Sequence, residues 1–364
     1  DGARAALTLL QSDGTAKPNC RVELPGRIAD VSIRWCLACL LRYKAGPNGN
    51  ARQSRHETSM PIKVPDNLPA LEDLLAEQVD VMAQKQALRQ DIRPLRLLLL
   101  NLMPKKQETE IQFARLFGNS PLQIELILMT TASYTPRHTE PAYLRRFYRR
   151  LEDVKDEFFD ALIVTGAPIE RLPFEEVAYW EELTQIMDWS RTHCFRRLGI
   201  CWGAQALLYH FHGVLKHDCG DKLFGVFRHE LKHVPGRLMR GFTDNFPMPV
   251  SRYTENRRAE LEAAGIEVLA ESEDCGVGLA RQPDSGDLFV LNHLEYDAET
   301  LGAEYHRDRE QGMATALPHG YFPNDDPDAE PVNFWRPYAF LMVSNWINDL
   351  YQATPFDLET LNKG

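Results

Sequence analysis

The sequence predicts an α/β protein built on a doubly wound, largely parallel sheet with helices on both faces. Three observations carry this expectation. Short apolar runs of strand type alternate with longer segments whose apolar residues recur every three or four positions. One apolar run ends in Gly-x-Cys-x-Gly and passes directly into a helix-forming stretch, as a strand does when a tight turn feeds a helix. The 364 residues are 44% hydrophobic and 26% charged, an ordinary globular balance with enough chain for one large core or two smaller ones.

The first 59 residues differ from the rest. They hold nine Lys and Arg against five Asp and Glu, which leaves 32 basic and 47 acidic residues beyond them. Turn formers are frequent, as in Gly46-Pro47-Asn48-Gly49-Asn50, and the apolar patch from Val31 to Leu41 is broken by Arg34. The texture changes at Met60, where "MPIKVPDNLPA" reads like a translation start. Residues 1–59 are therefore expected to be an upstream extension, disordered or a gene-model artefact. Residues 60–352 form the expected catalytic domain, and 353–364 a tail.

Beyond Met60 the elements follow in a regular rhythm. Leu74–Leu88 has helical spacing. Strand-type runs come at Leu95–Leu102, Gln123–Met129, Ala161–Thr165 and Leu198–Trp202. Helices are expected between them at Glu108–Phe117, Ala142–Val154 and Val177–Arg191. The last of these sets Trp180, Leu183 and Met187 on one face. Strand and helix alternating in this way implies parallel strands covered on both faces. Further apolar runs fall at Lys222–Phe227, Glu267–Ala270 and Leu288–Leu294. Phe322–Pro331, rich in Asp and Pro, reads as a loop, and "NFWRPYAFLMVSNWINDLYQ" as a closing helix.

Charge and cysteine usage exclude several classes. A net charge of -11 argues against a general binder of nucleic acid or anionic membranes. No apolar run reaches 18 residues, so no spanning helix is expected. Seven cysteines thinly spread over a long chain are not a disulfide framework, and they fit the reducing cytoplasm. Cys36 and Cys39 have C-x-x-C spacing, but no second ligand pair follows, and no metal site is expected.

The chemistry is expected at Cys201, in "RLGICWGAQA". The flanking glycines suit a sharp turn in which side chains would clash with the strand and helix. A helix N-terminus favours thiolate over thiol. The backbone N–H of Trp202 could hold a developing oxyanion. A nucleophilic cysteine needs a base, and His293 lies at the end of the run "LFVLNHLEYD". A parallel strand would deliver it to the same sheet edge as the Cys201 turn. Glu295, two residues on, is of the type that orients an imidazole and stabilises its charged form. A neutral His293 as base predicts a loss of activity at acidic pH, with an apparent pKa of ~6–7.5.

Gly-x-Cys-x-Gly followed by His-x-Glu on a doubly wound sheet resembles the class I glutamine amidotransferase-like fold, a flavodoxin-like three-layer architecture. Over about Met60–Gln352 the chain resembles one branch more closely, the homoserine O-acyltransferases of methionine biosynthesis (the MetA family). The motifs, in order, are "MPIKVPDNLPA", "QDIRPLRLLLLNLMPKKQETE", "GNSPLQIEL", "VTGAPIE", "FEEVAYWEEL", "GICWGAQA", "KLFGVF", "SRYTE", "NHLEYDAETL" and "EYHRD".

The resemblance implies that Cys201 accepts the acyl group, that His293 is the general base and that Glu295 is its partner. It implies substrate contacts at Lys222, Ser251 and Arg307, and places Lys105 in the Met-Pro-Lys-Lys segment. Glu170, after "VTGAPI", matches the position tied to donor choice, where Gly goes with succinyl-CoA and Glu with acetyl-CoA. The expected reaction transfers acetyl from acetyl-CoA to L-homoserine, with no other cofactor and in a homodimer. Three departures from the family pattern, at Leu294, Val250 and "SYTPRHT", leave the catalytic set intact and bear on the acceptor pocket. The alternatives are the same transfer with succinyl-CoA, a glutaminase-type amidotransferase and a cysteine hydrolase of this fold. A non-catalytic binding module is disfavoured because Cys201, His293 and Glu295 occur together.

Overall fold

The computed structural model describes residues 93–134, 139–232 and 236–363, with four short strands before them. The chain divides into two compact units, Asp1–His56 and Glu57–Gly364. In the first, β1 (Arg21–Leu24) pairs antiparallel with β2 (Arg27–Asp30). The rest of that unit, Cys36 and Cys39 included, lies outside the described residues. In the second, β3 (Ile62–Val64) runs parallel to β4 (Val81–Ala83). This corrects part of the helix expected at Leu74–Leu88. Residues 81–83 are a strand because their backbone finds a partner in 62–64, and the remainder of that span lies outside the described residues.

The main body is one ten-stranded sheet. Its strands are β5 (Leu95–Leu100), β6 (Ile124–Met129), β7 (Tyr148–Arg149), β8 (Phe159–Val164), β9 (Cys194–Ile200), β10 (His217–Leu231), β11 (Asn245–Glu255), β12 (Glu267–Ser272), β13 (Gly276–Arg281) and β14 (Leu288–Val290). They lie in the order β11-β10-β12-β13-β14-β9-β8-β5-β6-β7. From β14 to β7 every pairing is parallel. From β11 to β14 every pairing is antiparallel.

The helices are α1 (Lys106–Phe117), α2 (Pro141–Phe147), α3 (Leu151–Val154), α4 (Trp180–His193), α5 (Trp202–His212), α6 (Arg258–Ala263), α7 (Thr300–Glu310) and α8 (Arg336–Ala353). Successive strand residues face opposite sides. Leu98 and Leu100 pack with Leu183, Ile186 and Met187 of α4 and Leu207 and Leu208 of α5. Leu97 and Leu99 pack with Phe113 and Phe117 of α1 and Trp346 and Ile347 of α8. The four leucines Leu97–Leu100 are fully buried, each contributing about 2 kcal/mol of transfer free energy.

The helix expected over Ala142–Val154 is interrupted. Tyr148–Arg149 pairs with Leu128–Met129, and Tyr148 is buried with its hydroxyl bonded to Glu110. Sheet pairing and that anchor override the local helical pattern. Two strands had little sequence signature. β11 contains Pro247 and Pro249, which argue against a central strand, and it is an edge strand, where proline is tolerated. β13 is glycine-rich because at Gly278 a Cβ would stand 2.5 Å from the His229 ring.

One buried ion pair secures the two strands that matter for chemistry. Arg197 on β9 donates to Asp287, just before β14, from Nε at 2.9 Å and Nη2 at 2.7 Å, and its backbone N–H adds a third bond. β9 and β14 are neighbours in register, Ile200 opposite Val290.

Candidate active site

Strand β9 ends at Ile200 and α5 begins at Trp202, so Cys201 occupies the turn between them. Its φ of 48° and ψ of -118° are strained for a residue with a side chain. Its N–H donates to Val290 O at 2.7 Å, which holds the turn against β14. The glycines are required. A Cβ at Gly199 would lie 2.4 Å from Ala204 Cα, and one at Gly203 2.4 Å from the Val164 carbonyl oxygen. Trp202 N–H falls in the first turn of α5, where backbone donors have no intrahelical partner.

His293 follows β14 by three residues, and its N–H donates to Pro249 O. Its Nδ1 donates to Glu295 Oε1 at 2.7 Å, and its ring stacks on Tyr296 at 4.1 Å. Burial disfavours charge on this ring. The negative charges and hydrogen bonds of Cys201 and Glu295 outweigh burial and raise its pKa well above the ordinary value. The direction of that shift is toward the protonated imidazole. The loop after β8 closes over the pair, and at Gly166 a Cβ would stand 3.4 Å from Cys201 Cβ and 3.7 Å from His293 Cε1. A Cβ there would make ordinary van der Waals contact with both groups, and the sequence had not singled Gly166 out.

Glu170 lies four residues further along this loop, half-buried. Burial is the main cause raising its carboxyl pKa, with Glu304 adding to it, while His293 and Lys222 oppose. These partners place its carboxyl within electrostatic range of both His293 and the acidic cluster beyond.

That cluster gathers three of the residues read from the sequence. Lys222 Nζ on β10 donates to Glu304 Oε1 at 2.8 Å and Asp308 Oδ2 at 3.0 Å. Ser251 Oγ on β11 donates to the same Glu304 oxygen at 2.8 Å. Arg307 Nη2 donates to Asp308 Oδ1 at 2.6 Å. Burial alone would lower the Lys222 pKa, but Glu304 and Asp308 raise it above its ordinary value. Glu304, the centre of this arrangement, was missed. The signal was present, since Glu304, Arg307 and Asp308 recur at three- and four-residue spacing in "EYHRD", one face of α7.

Lys105 is not brought to this cluster. It is exposed and pairs with Glu108 of the next helical turn. Its neighbour Lys106 is the buried member, with Nζ bonded to the Asn101 carbonyl and burial pushing its pKa down to about 8. Among the described residues no group of three or more His, Cys, Asp or Glu could hold a metal ion. No helix among them is long and apolar enough to cross a membrane.

A strained cysteine at a strand–helix elbow, facing a His–Glu pair from the next parallel strand, is an arrangement that can support nucleophilic catalysis on a doubly wound sheet. The family model described as homoserine O-succinyltransferase matches residues 61–356, and the chain belongs to that family. It is 49% identical over 306 residues to a homoserine O-acetyltransferase of Sinorhizobium fredii, covering 84% of this chain and 100% of that one. It is 50% identical over 305 residues to a homoserine O-acetyltransferase of Hyphomonas neptunium, with the same coverage. Among solved structures, a glutamine amidotransferase of Methylobacillus flagellatus aligns at 16% identity with a TM-score of 0.45, over 71% of this chain and 95% of that one.

Proposed function

We propose that this protein transfers the acetyl group of acetyl-CoA to the hydroxyl of L-homoserine through an acyl-enzyme on Cys201, an early step of methionine biosynthesis. The observation that carries the reading is the contact of Cys201, strained at its elbow, with His293 backed by Glu295. The Cys201 thiolate attacks the thioester carbonyl carbon, and the Trp202 N–H faces the developing oxyanion. The carbon–sulfur bond to CoA breaks, and CoA leaves as a thiol with the proton of His293. Acylation removes the sulfur's negative charge, one of the causes that held that proton. His293 is then a neutral base. It takes the homoserine hydroxyl proton as the oxygen attacks the acyl carbon. Collapse releases O-acetylhomoserine and restores the thiolate beside a protonated imidazole.

Lys222 and Arg307 supply positive charge for the homoserine carboxylate, and Glu304 the negative charge for its ammonium. Glu170 supports acetyl as the donor group. Its side chain fills space that a longer acyl chain would need, and its carboxylate repels the free carboxylate of a succinyl group. The relatives at about half identity carry the acetyltransferase name, whereas the family description is that of a succinyltransferase.

The test is kcat/KM with the two donors. The wild type is expected to prefer acetyl-CoA by about 10²-fold or more, and Glu170→Gly to shift preference toward succinyl-CoA. Equal rates in the wild type, or an unmoved ratio in the variant, would remove Glu170 from donor choice. Failure to trap a labelled acetyl group on Cys201 would overturn the acyl-enzyme.

A further inference from the structure

The loop that carries Glu170 is tied to the start of β10 by two cations. Lys216, the residue before β10, donates from Nζ to the carbonyl oxygens of Glu170 and Leu172, each at 2.6 Å. In the opposite direction Arg171 Nη2 donates to Gly220 O at 2.8 Å, and its guanidinium pairs with Asp218 at 3.5 Å. Arg171 and Asp218 are both exposed, so water screens that pair and it contributes little.

Lys216 is in a different situation. It is half-buried, and its ammonium sits 4.2 Å from the centre of the Phe174 ring. Among the described residues its hydrogen bonds go only to neutral carbonyls. Burial pushes its pKa down to about 8, with Glu170 and Glu175 opposing. A half-buried ammonium loses part of its hydration, and the two carbonyl oxygens replace some of it. Here one ammonium fixes the peptide carbonyls on either side of Arg171, and so the backbone at Glu170. The far end of the loop is also anchored by packing. Phe174 is buried, with its ring 5.6 Å from that of Trp202 and 4.7 Å from that of Tyr209, both on α5.

We infer that Lys216 is the positioning residue for acyl-donor choice, holding the Glu170 and Leu172 carbonyls so that the Glu170 side chain stays where it closes the acyl pocket. This rests on the reading of Glu170 given above. The Lys216 ammonium bonds to the loop backbone and not to Cys201, His293 or Glu295. It acts through the loop, so its loss relaxes selectivity while the Cys201 chemistry continues.

The experiment is the ratio of kcat/KM for acetyl-CoA to that for succinyl-CoA, with KM for homoserine measured alongside. Lys216→Met keeps an unbranched side chain of similar length beside Phe174 and deletes both donations. It is expected to lower the ratio about tenfold, the equivalent of one or two lost hydrogen bonds, with KM for homoserine unchanged. Lys216→Arg, which keeps donors at that position, should hold the ratio within about threefold. In the Glu170→Gly background, Lys216→Met should produce no further change, because coupled positions are not additive.

A wild-type ratio in Lys216→Met, with Glu170→Gly still lowering it, overturns this inference and leaves the Glu170 reading standing. An equal drop in both backgrounds also overturns it, since Lys216 would then act elsewhere. An unmoved ratio in Glu170→Gly itself overturns both. If Lys216→Met does not fold, Lys216→Gln makes the same comparison, its amide being too short to reach both carbonyls.

Discussion

The two halves of the ten-stranded sheet contribute different residues to the candidate site. The parallel half supplies the strand that ends in Cys201, the strand that precedes His293 and the β8 loop with Gly166 and Glu170. The antiparallel half supplies Lys222 from β10 and Ser251 from β11, facing Glu304 and Asp308 of α7. Parallel strands place all their carboxyl ends at one edge, so turns from neighbouring strands meet there. The antiparallel extension turns back on itself and builds a charged wall beside that edge. On the proposed function, reaction type belongs to the parallel half and acceptor recognition to the other.

Breaking the parallel half should have the largest consequences. Cys201→Ala is expected to lower turnover by at least about 10⁴-fold, as loss of a covalent nucleophile does, with folding intact. Retained turnover would move the chemistry away from the elbow. Gly203→Ala attacks the same elbow through packing, since its Cβ would meet two backbone carbonyl oxygens, of Val164 and Thr165, at 2.4 and 2.5 Å. A loss of at least about 3 kcal/mol in urea unfolding is expected, and a stable variant would show that the helix can shift away from β8.

The antiparallel half is predicted to govern acid stability. His229 is fully buried on β10, with Nδ1 donating to Phe227 O and Nε2 accepting from Asn292 Nδ2. Burial lowers its pKa from 6.5 to about 4. In the unfolded chain it binds a proton below about 6.5, whereas in the folded protein it does not until about pH 4. Its stabilising contribution is therefore present above pH 6.5 and declines as pH falls toward 4, by about 3 kcal/mol in all. Unfolding free energies at pH 7 and pH 4.5 should show this slope, and His229→Gln should flatten it.

Glu304→Gln sharpens the contrast at smaller cost. It leaves Lys222 with a weaker partner and removes the acidic group facing the acceptor. kcat/KM for homoserine should fall about 10²-fold, mainly through KM. Alkylation of Cys201 by iodoacetamide should be unchanged. A fall in alkylation rate would mean that the two halves are not separable.

How legible each half was in the sequence follows from the same difference. In the parallel half, apolar runs buried on both faces are continuous, so β5, β8 and the Leu198–Ile200 end of β9 were apparent from those runs, whereas Cys194–Arg197 joins β9 only through its sheet partners and Trp202, expected in the strand, opens the helix. The elbow was apparent because its glycines answer local sterics that hold whatever the rest of the chain does. The antiparallel half was harder to read. β11 carries two prolines that an edge position tolerates, and β13 carries glycines that a buried histidine demands. Tyr148–Arg149 reads as helix until a strand edge is available to pair with it.

The sequence by itself therefore determined the alternation of elements, the elbow at Cys201 and the pairing of His293 with Glu295, because each rests on residue type and on spacing within a few positions. Only the tertiary structure decided that Glu304 sits at the centre of the Lys222–Ser251–Arg307 group. Only it decided that Lys106 rather than Lys105 is buried, and that Lys216 reaches across to hold the Glu170 loop. These contacts join residues from separate elements. Whether a charged side chain ends in water or against a carbonyl depends on what the fold brings opposite it, through desolvation and hydrogen bonding that no local pattern encodes.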